Sequence, residues 1–241
     1  MAASMLVFAA GPTHAATLTV LAASSLTESL QQVATTWEAE TGHTVALTFD
    51  ATSKLVRQVE GGVPADVLFS ADAQWIDHLT ANGQVVAGSR VNLLGNTLVA
   101  ITAAGKEART PDDLAGPSIA RIGLAGEHVP AGRYGRAALT SLGVWDDVSE
   151  RTVWGDSVRT VLNWVGTGEV DAGIVYLTDA RVSTSVNVAF TFPPSSHPPI
   201  RVTAAVLTAS PEAKLARAFL GHCRSKASMA TFLAAGFTEP K

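Results

Sequence analysis

Residues 18–37 read LTVLAASSLTESLQQVATTW, and the pattern changes twice along that stretch. Leu18, Val20 and Leu21 form an apolar run with β-branched character, which predicts a buried strand. Ala22, Ala23 and Ser24 leave the backbone uncrowded. Leu26, Leu30, Val33, Ala34 and Trp37 then recur at helical spacing, and Ser25 with Glu28 reads as an S-x-x-E capping box. A helix therefore opens just past the carboxyl end of a strand. Its first N–H groups have no partner within the helix, and the dipole adds partial positive charge there, so the junction suits an anion. Most such junctions are scaffold only, and a functional reading depends on whether the device recurs.

It recurs down the chain. Residues 44–49 alternate as a strand, Asp50-Ala51-Thr52-Ser53 is a small polar turn, and KLVRQVEGG continues as a helix with Thr52 or Ser53 as the expected N-cap. Residues 67–69 form a short buried strand, and Ser70-Ala71-Asp72 opens another helix. LLGNTLVAIT at 93–102 reads as a strand with a Gly-Asn break, and 103–116 as a surface connection into a second lobe. A strand over 119–124 leads through GEHVPAG to a helix beginning at Ala131-Gly132. Asp156 or Ser157 caps the helix carrying Val158, Val161, Leu162 and Val165. Residues 171–176 form a strand with Tyr176 at its carboxyl end. Strands over 186–192 and 200–208 and one or two closing helices over 211–236 complete the chain. This alternation predicts a mainly parallel α/β architecture, in which ligands sit beyond the carboxyl ends of strands.

The 241 residues are 47% hydrophobic and 16% charged, with a net charge of −4, which is an ordinary globular composition without a nucleic-acid footprint. An anionic ligand would gain nothing from the overall field, so its recognition would need local, oriented donors. A single cysteine, Cys223, excludes an intramolecular disulfide and Cys-rich metal centres, and its neighbours Phe219, Leu220 and Phe232 mark it as a core thiol. Residues 1–16 carry a short apolar run, Gly11-Pro12 and a small-residue end, and are expected to be a signal-peptide remnant whose basic n-region lies upstream of Met1.

Catalytic signatures are missing. There is no G-x-S-x-G elbow or P-loop, and Gly166-Thr167-Gly168 follows a helix rather than a strand. The six His are scattered without ligand spacing, and Asp66, Asp72, Asp77 and His78 read as caps or solvated groups rather than a metal cluster. The chain reads as a binder, not an enzyme.

The motifs AASSLTESL (22–30), DATSKLVRQVEGGVPADVLFSAD (50–72), LLGNTLVA (93–100), HVPAGRYGRAAL (128–139), SLGVW (141–145), DSVRTVL (156–162), GIVYLTDA (173–180) and TFPPSSHPPI (191–200) run in order over nearly the whole chain. On these the sequence resembles the periplasmic molybdate-binding proteins of ABC importers. The resemblance implies a two-lobed periplasmic binding protein fold of type II with the ligand cleft between the lobes. Residues 17–94 plus 203–241 would form lobe I and 95–202 lobe II. It implies molybdate, with tungstate bound similarly, and no cofactor. The contacts it implies are the hydroxyls of Ser25, Thr52 and Tyr176 and the backbone N–H groups of Ala131 and Val158, all touching oxyanion oxygens and none ligating the metal directly. Thr52 departs from the serine usual there and adds a methyl at the anion's wall. Lys54 beside the site is expected to point to solvent. The implied partner is the membrane permease of an ABC importer, with a monomeric, exported, periplasmic protein. The rival readings are a binder of sulfate, thiosulfate or phosphate, the ligand-sensing half of a transcription regulator, and a secreted hydrolase.

Overall fold

Buried Leu18, Val20 and Leu21 put the opening stretch at the heart of a sheet. In the computed structural model, which describes residues 15–240, this is β1 (Thr17–Ala23). It is followed by α1 (Thr27–Thr41), β2 (Thr44–Asp50), α2 (Thr52–Glu60), β3 (Val67–Ser70), α3 (Ala73–Ala81) and β4 (Val91–Gly95). The chain then builds β5 (Leu98–Thr102), β6 (Ile122–Ala125), α4 (Pro130–Ser141), α5 (Trp145–Val148), β7 (Thr152–Gly155), α6 (Val158–Thr167), β8 (Ala172–Tyr176), α7 (Leu177–Arg181) and β9 (Asn187–Thr191). It closes with β10 (Arg201–Val206), α8 (Ala213–Cys223) and α9 (Lys226–Ala235). The expected signal remnant falls almost wholly outside the described residues.

Two five-stranded sheets result, ordered β2-β1-β3-β10-β4 and β7-β6-β8-β5-β9. The chain crosses between them after β4 and again after β9. Each sheet pairs three parallel strands with a fourth that runs antiparallel, β10 in the first and β5 in the second. The edge strands β4 and β9 also pair antiparallel. The sheets are thus mixed, not mainly parallel. The fourth strand of each enters from a crossover rather than through a β-α-β turn, so nothing forces it parallel.

The connection between the sheets is not the 103–116 stretch that composition suggested. Residues 93–102 are two strands in two different sheets, split at Asn96-Thr97, so the chain has already changed sheets before 103–116 begins. The break is held by side chains: the Thr97 N–H donates to Asn96 Oδ1 at 2.8 Å, and Asn96 Nδ2 donates to Thr178 Oγ1 at 3.0 Å.

Helix placement follows the apolar faces. Val161 and Val165 of α6 sit over Gly123 and Gly173, which are paired between β6 and β8. A Cβ on Gly173 would lie 2.7 Å from Val161 and 2.8 Å from Val165, so only glycine admits the helix this close. Trp37, Phe69 and Phe219 pack edge to face between α1, β3 and α8, with centroids 5.2 and 6.2 Å apart. Cys223 is buried in this core, and burial raises its thiol pKa well above the ordinary value, as a packed thiol requires.

Candidate functional site

Four helix entrances and one strand end converge where the two sheets face each other. Ser24 and Ser25 follow β1, Ala51 and Thr52 follow β2, Pro130 and Ala131 follow β6, Val158 follows β7, and Tyr176 ends β8. All of them line one cleft of about 220 Å³, part of it open to solvent, completed by Ala23, Asp50, Ala71 and Val129. The five residues singled out from the sequence are therefore brought together, Ser25 and Thr52 from the half built on the first sheet and Ala131, Val158 and Tyr176 from the half built on the second.

Local structure frees each donor, and in two places differently from the sequence reading. Ser25 is not a helix cap. A 3-10 turn, Ser24–Leu26, intervenes, α1 starts at Thr27, and Leu26 occupies the cap position without a side-chain bond. Ser25 Oγ is buried and has no hydrogen-bond partner among the described residues. Thr52 is likewise the first residue of α2, behind Ala51 as cap, and its Oγ1 accepts the Ala71 N–H at 3.1 Å. Accepting that bond leaves the Thr52 hydroxyl proton to be donated.

Tyr176 is 1% exposed, and its phenol oxygen also lacks a partner. Burial, with Tyr134 and Asp179 nearby, raises its pKa well above the ordinary value, so it remains a neutral donor. Among the described residues only four buried side-chain polar atoms are unpartnered, and two of them, on Ser25 and Tyr176, line this cleft. Buried polar groups are nearly always paired, so two orphans in one cleft point to a ligand.

Ala131 and Val158 contribute backbone. Ala131 is the second residue of α4 and Val158 the first of α6, where N–H groups have no intrahelical carbonyl in reach. Ser157 caps α6 by accepting the Thr160 N–H at 3.2 Å, as expected. Gly132 sets the approach of α4: a Cβ there would overlap the carbonyl oxygens of Ala125 and Gly126.

Among the described residues no Lys or Arg lines the cleft. The cations nearest in sequence turn to carboxylates instead. Lys54 does not simply point to solvent. Its Nζ lies 3.2 Å from Asp156 Oδ2, across from α2 at the start of α6, and 3.9 Å from Asp50. Arg133 meets Asp72 and donates to Gln74 Oε1 at 2.6 Å. Arg159 joins Glu28 to Asp179. These pairings escaped the sequence reading because their partners are far apart in the chain. The one local signal was cations in the first turns of helices, where the dipole disfavours them.

The imagined acidic metal cluster dissolves into separate structural roles. Asp66 is buried and accepts the Thr19 N–H at 2.7 Å and the Ser210 hydroxyl at 2.5 Å, so it is not solvated. Asp72 caps α3 by accepting the Trp75 N–H, Asp77 pairs with Arg90, and His78 with Glu60. Among the described residues no group of three or more His, Cys, Asp or Glu could hold a metal ion, and no helix is long and apolar enough to cross a membrane.

The family model for bacterial extracellular solute-binding proteins matches residues 18–238. The chain is 35% identical to the molybdate-binding protein ModA of Escherichia coli, over 92% of this chain and 88% of that protein. It is 36% identical to ModA of Haemophilus influenzae, over 92% and 90%. The solved periplasmic molybdate-binding protein of Azotobacter vinelandii superposes with a TM-score of 0.84 at 26% identity, covering 93% of this chain and all of that one.

Proposed function

We propose that this chain, which belongs to the bacterial extracellular solute-binding protein family, captures molybdate, and tungstate similarly, in the periplasm. As a monomer without a cofactor, it delivers the oxyanion to the membrane permease of an ABC importer. Two lobes, one on each sheet, close on the guest. The hydroxyls of Ser25, Thr52 and Tyr176 and the N–H groups of Ala131 and Val158 are its contacts. The observation that carries this reading is the pair of orphaned hydroxyls, Ser25 and Tyr176, buried in one cleft from opposite halves of the fold.

Molybdate at neutral pH is a full dianion and only accepts hydrogen bonds; all five groups donate. Hydrogen bonds to a charged partner contribute about 1.5–3 kcal/mol each. A handful reaches the roughly −8 to −12 kcal/mol of micromolar to nanomolar affinity. A singly protonated phosphate would need an acceptor as well. The one carboxylate on the wall, Asp50, already accepts the Ala51 N–H at 2.7 Å and lies beside Lys54.

Titration calorimetry with molybdate, tungstate, sulfate and phosphate tests the reading. Molybdate and tungstate are expected to bind tightly and sulfate and phosphate far more weakly. Sulfate binding as tightly as molybdate rejects the assignment.

A further inference from the structure

Resting on the capture reading, we propose that Arg159 is a positioning residue for the cleft: it ties the two halves together at the separation where the donors meet one guest. Its Nε donates to Asp179 Oδ1 at 2.7 Å, on its own half. Its two terminal nitrogens donate to Glu28 Oε1 and Oε2 at 2.9 and 2.7 Å, on the other half and 131 residues away in the chain. A two-pronged guanidinium–carboxylate pair is directional and sets an orientation as well as a distance.

What the three residues are attached to gives the bridge its consequence. Glu28 lies one turn beyond Ser25, Arg159 directly follows Val158, and Asp179 lies one turn beyond Tyr176. Asp179 also accepts the Tyr176 N–H through its second oxygen, at 3.3 Å. One side chain thus couples the segments carrying three of the five donors while itself staying off the cleft wall. Arg159 is the second residue of α6, next to the positive end of the helix dipole, a place that disfavours a cation unless carboxylates hold it. Two further bridges cross the same mouth, Arg133 to Asp72 and Lys54 to Asp156. Of the three cations, Arg159 alone grips two carboxylates within 3 Å, one of them fully buried Asp179.

Glu28 is the residue to change, because its side chain is half exposed and the buried Arg159–Asp179 pair survives its loss. Molybdate dissociation is followed by stopped-flow tryptophan fluorescence in the wild type, Glu28→Gln and Glu28→Asp at low and high NaCl. Losing a short-range bridge that holds the halves together raises koff more than it lowers kon. Glu28→Gln is expected to release molybdate about tenfold faster with kon little changed. Its koff should also depend less steeply on salt than the wild type's, since two other ion pairs across the mouth remain, while Glu28→Asp recovers part of the effect. Ligand-free melting temperature should stay unchanged. Wild-type koff and salt dependence in Glu28→Gln overturn the bridge. If the wild type binds no molybdate, the capture reading fails on its own. The bridge is then read from small-angle scattering of ligand-free protein: a larger radius of gyration for Glu28→Gln upholds it, and equal radii overturn it.

Discussion

Tyr176→Phe separates a binding group from a structural one. The phenol is 1% exposed and its oxygen has no partner among the described residues, so the substitution breaks no hydrogen bond within the described fold. The ring stays, and the backbone N–H still reaches Asp179. A hydroxyl donating to a dianion contributes about 1.5–3 kcal/mol, so molybdate affinity is expected to fall roughly 10- to 150-fold. Without ligand the sign differs. Removing a buried hydroxyl that has no partner leaves stability unchanged or raises it by up to about 1 kcal/mol. For a chain of this size that is a gain of at most about 2–4 °C in Tm. Two measurements suffice: calorimetric titration with molybdate, and thermal scans with and without it. With molybdate in excess of both dissociation constants, the ligand-induced stabilisation should shrink by the same 1.5–3 kcal/mol or so, because it follows RT ln(1 + [L]/Kd). An unchanged Kd would falsify the assignment of Tyr176. A ligand-free loss above about 1 kcal/mol would mean that the hydroxyl serves the fold.

Thr52→Val behaves otherwise, because Oγ1 accepts the Ala71 N–H as well as offering its own proton. Denaturant unfolding should show a ligand-free loss of about 1–3 kcal/mol together with weaker molybdate binding; intact stability would show that the Ala71 bond is dispensable. Asp179 gives a pH signature. Burial raises its pKa from 3.8 to about 6, against the pull of Arg159 and the Tyr176 N–H, with Glu28 adding to the rise. An acid whose folded pKa is raised is penalised once ionised, so its contribution is most favourable below pH 3.8 and worsens as pH rises to about 6. At 1.36 kcal/mol per pKa unit the change is about 3 kcal/mol. Relative to Asp179→Asn, the wild type should therefore gain stability by up to that amount as pH falls from 7 to 4, measured by urea unfolding of both proteins at both values. A relative loss on acidification contradicts the burial argument.

Local pattern carried much of the architecture. Periodicity and small polar turns marked the strand-to-helix junctions, and Ser25, Thr52, Ala131, Val158 and Tyr176 do line one cleft. Where the reading went astray, the deciding interaction was distant. Residues 93–102 look continuous because both halves are apolar; only pairing with β10 on one side and β8 on the other assigns them to different sheets. Direction failed for the same reason: β10 and β5 arrive from crossovers, and no local residue states which way a strand will run. The Ser25–Glu28 motif has the spacing of a capping box, yet a 3-10 turn displaces it and Glu28 is claimed by Arg159. That failure left Ser25 free to donate.

The placement of charge follows from what the site must distinguish. Molybdate, tungstate and sulfate are all tetrahedral dianions, so a guanidinium on the guest would attract each of them. At 4 Å and an effective dielectric of 20 that attraction is about 4 kcal/mol whatever the central atom. Such a term strengthens binding without selecting, whereas donors held at set positions reward one size of tetrahedron. Arg133, Arg159 and Lys54 all lie within two residues of an assigned contact, yet each is turned to carboxylates. On the proposed reading charge acts between the halves, where it governs how tightly they meet. On the same reading neutral donors act on the guest, where they set which oxyanion fits. On this division a mutation at the rim should change residence time for molybdate and tungstate alike, and a mutation among the five donors should change their ratio to sulfate. Parallel titrations of Glu28→Gln and Ser25→Ala with all three anions separate the two effects, and a selectivity change in Glu28→Gln would refute the division.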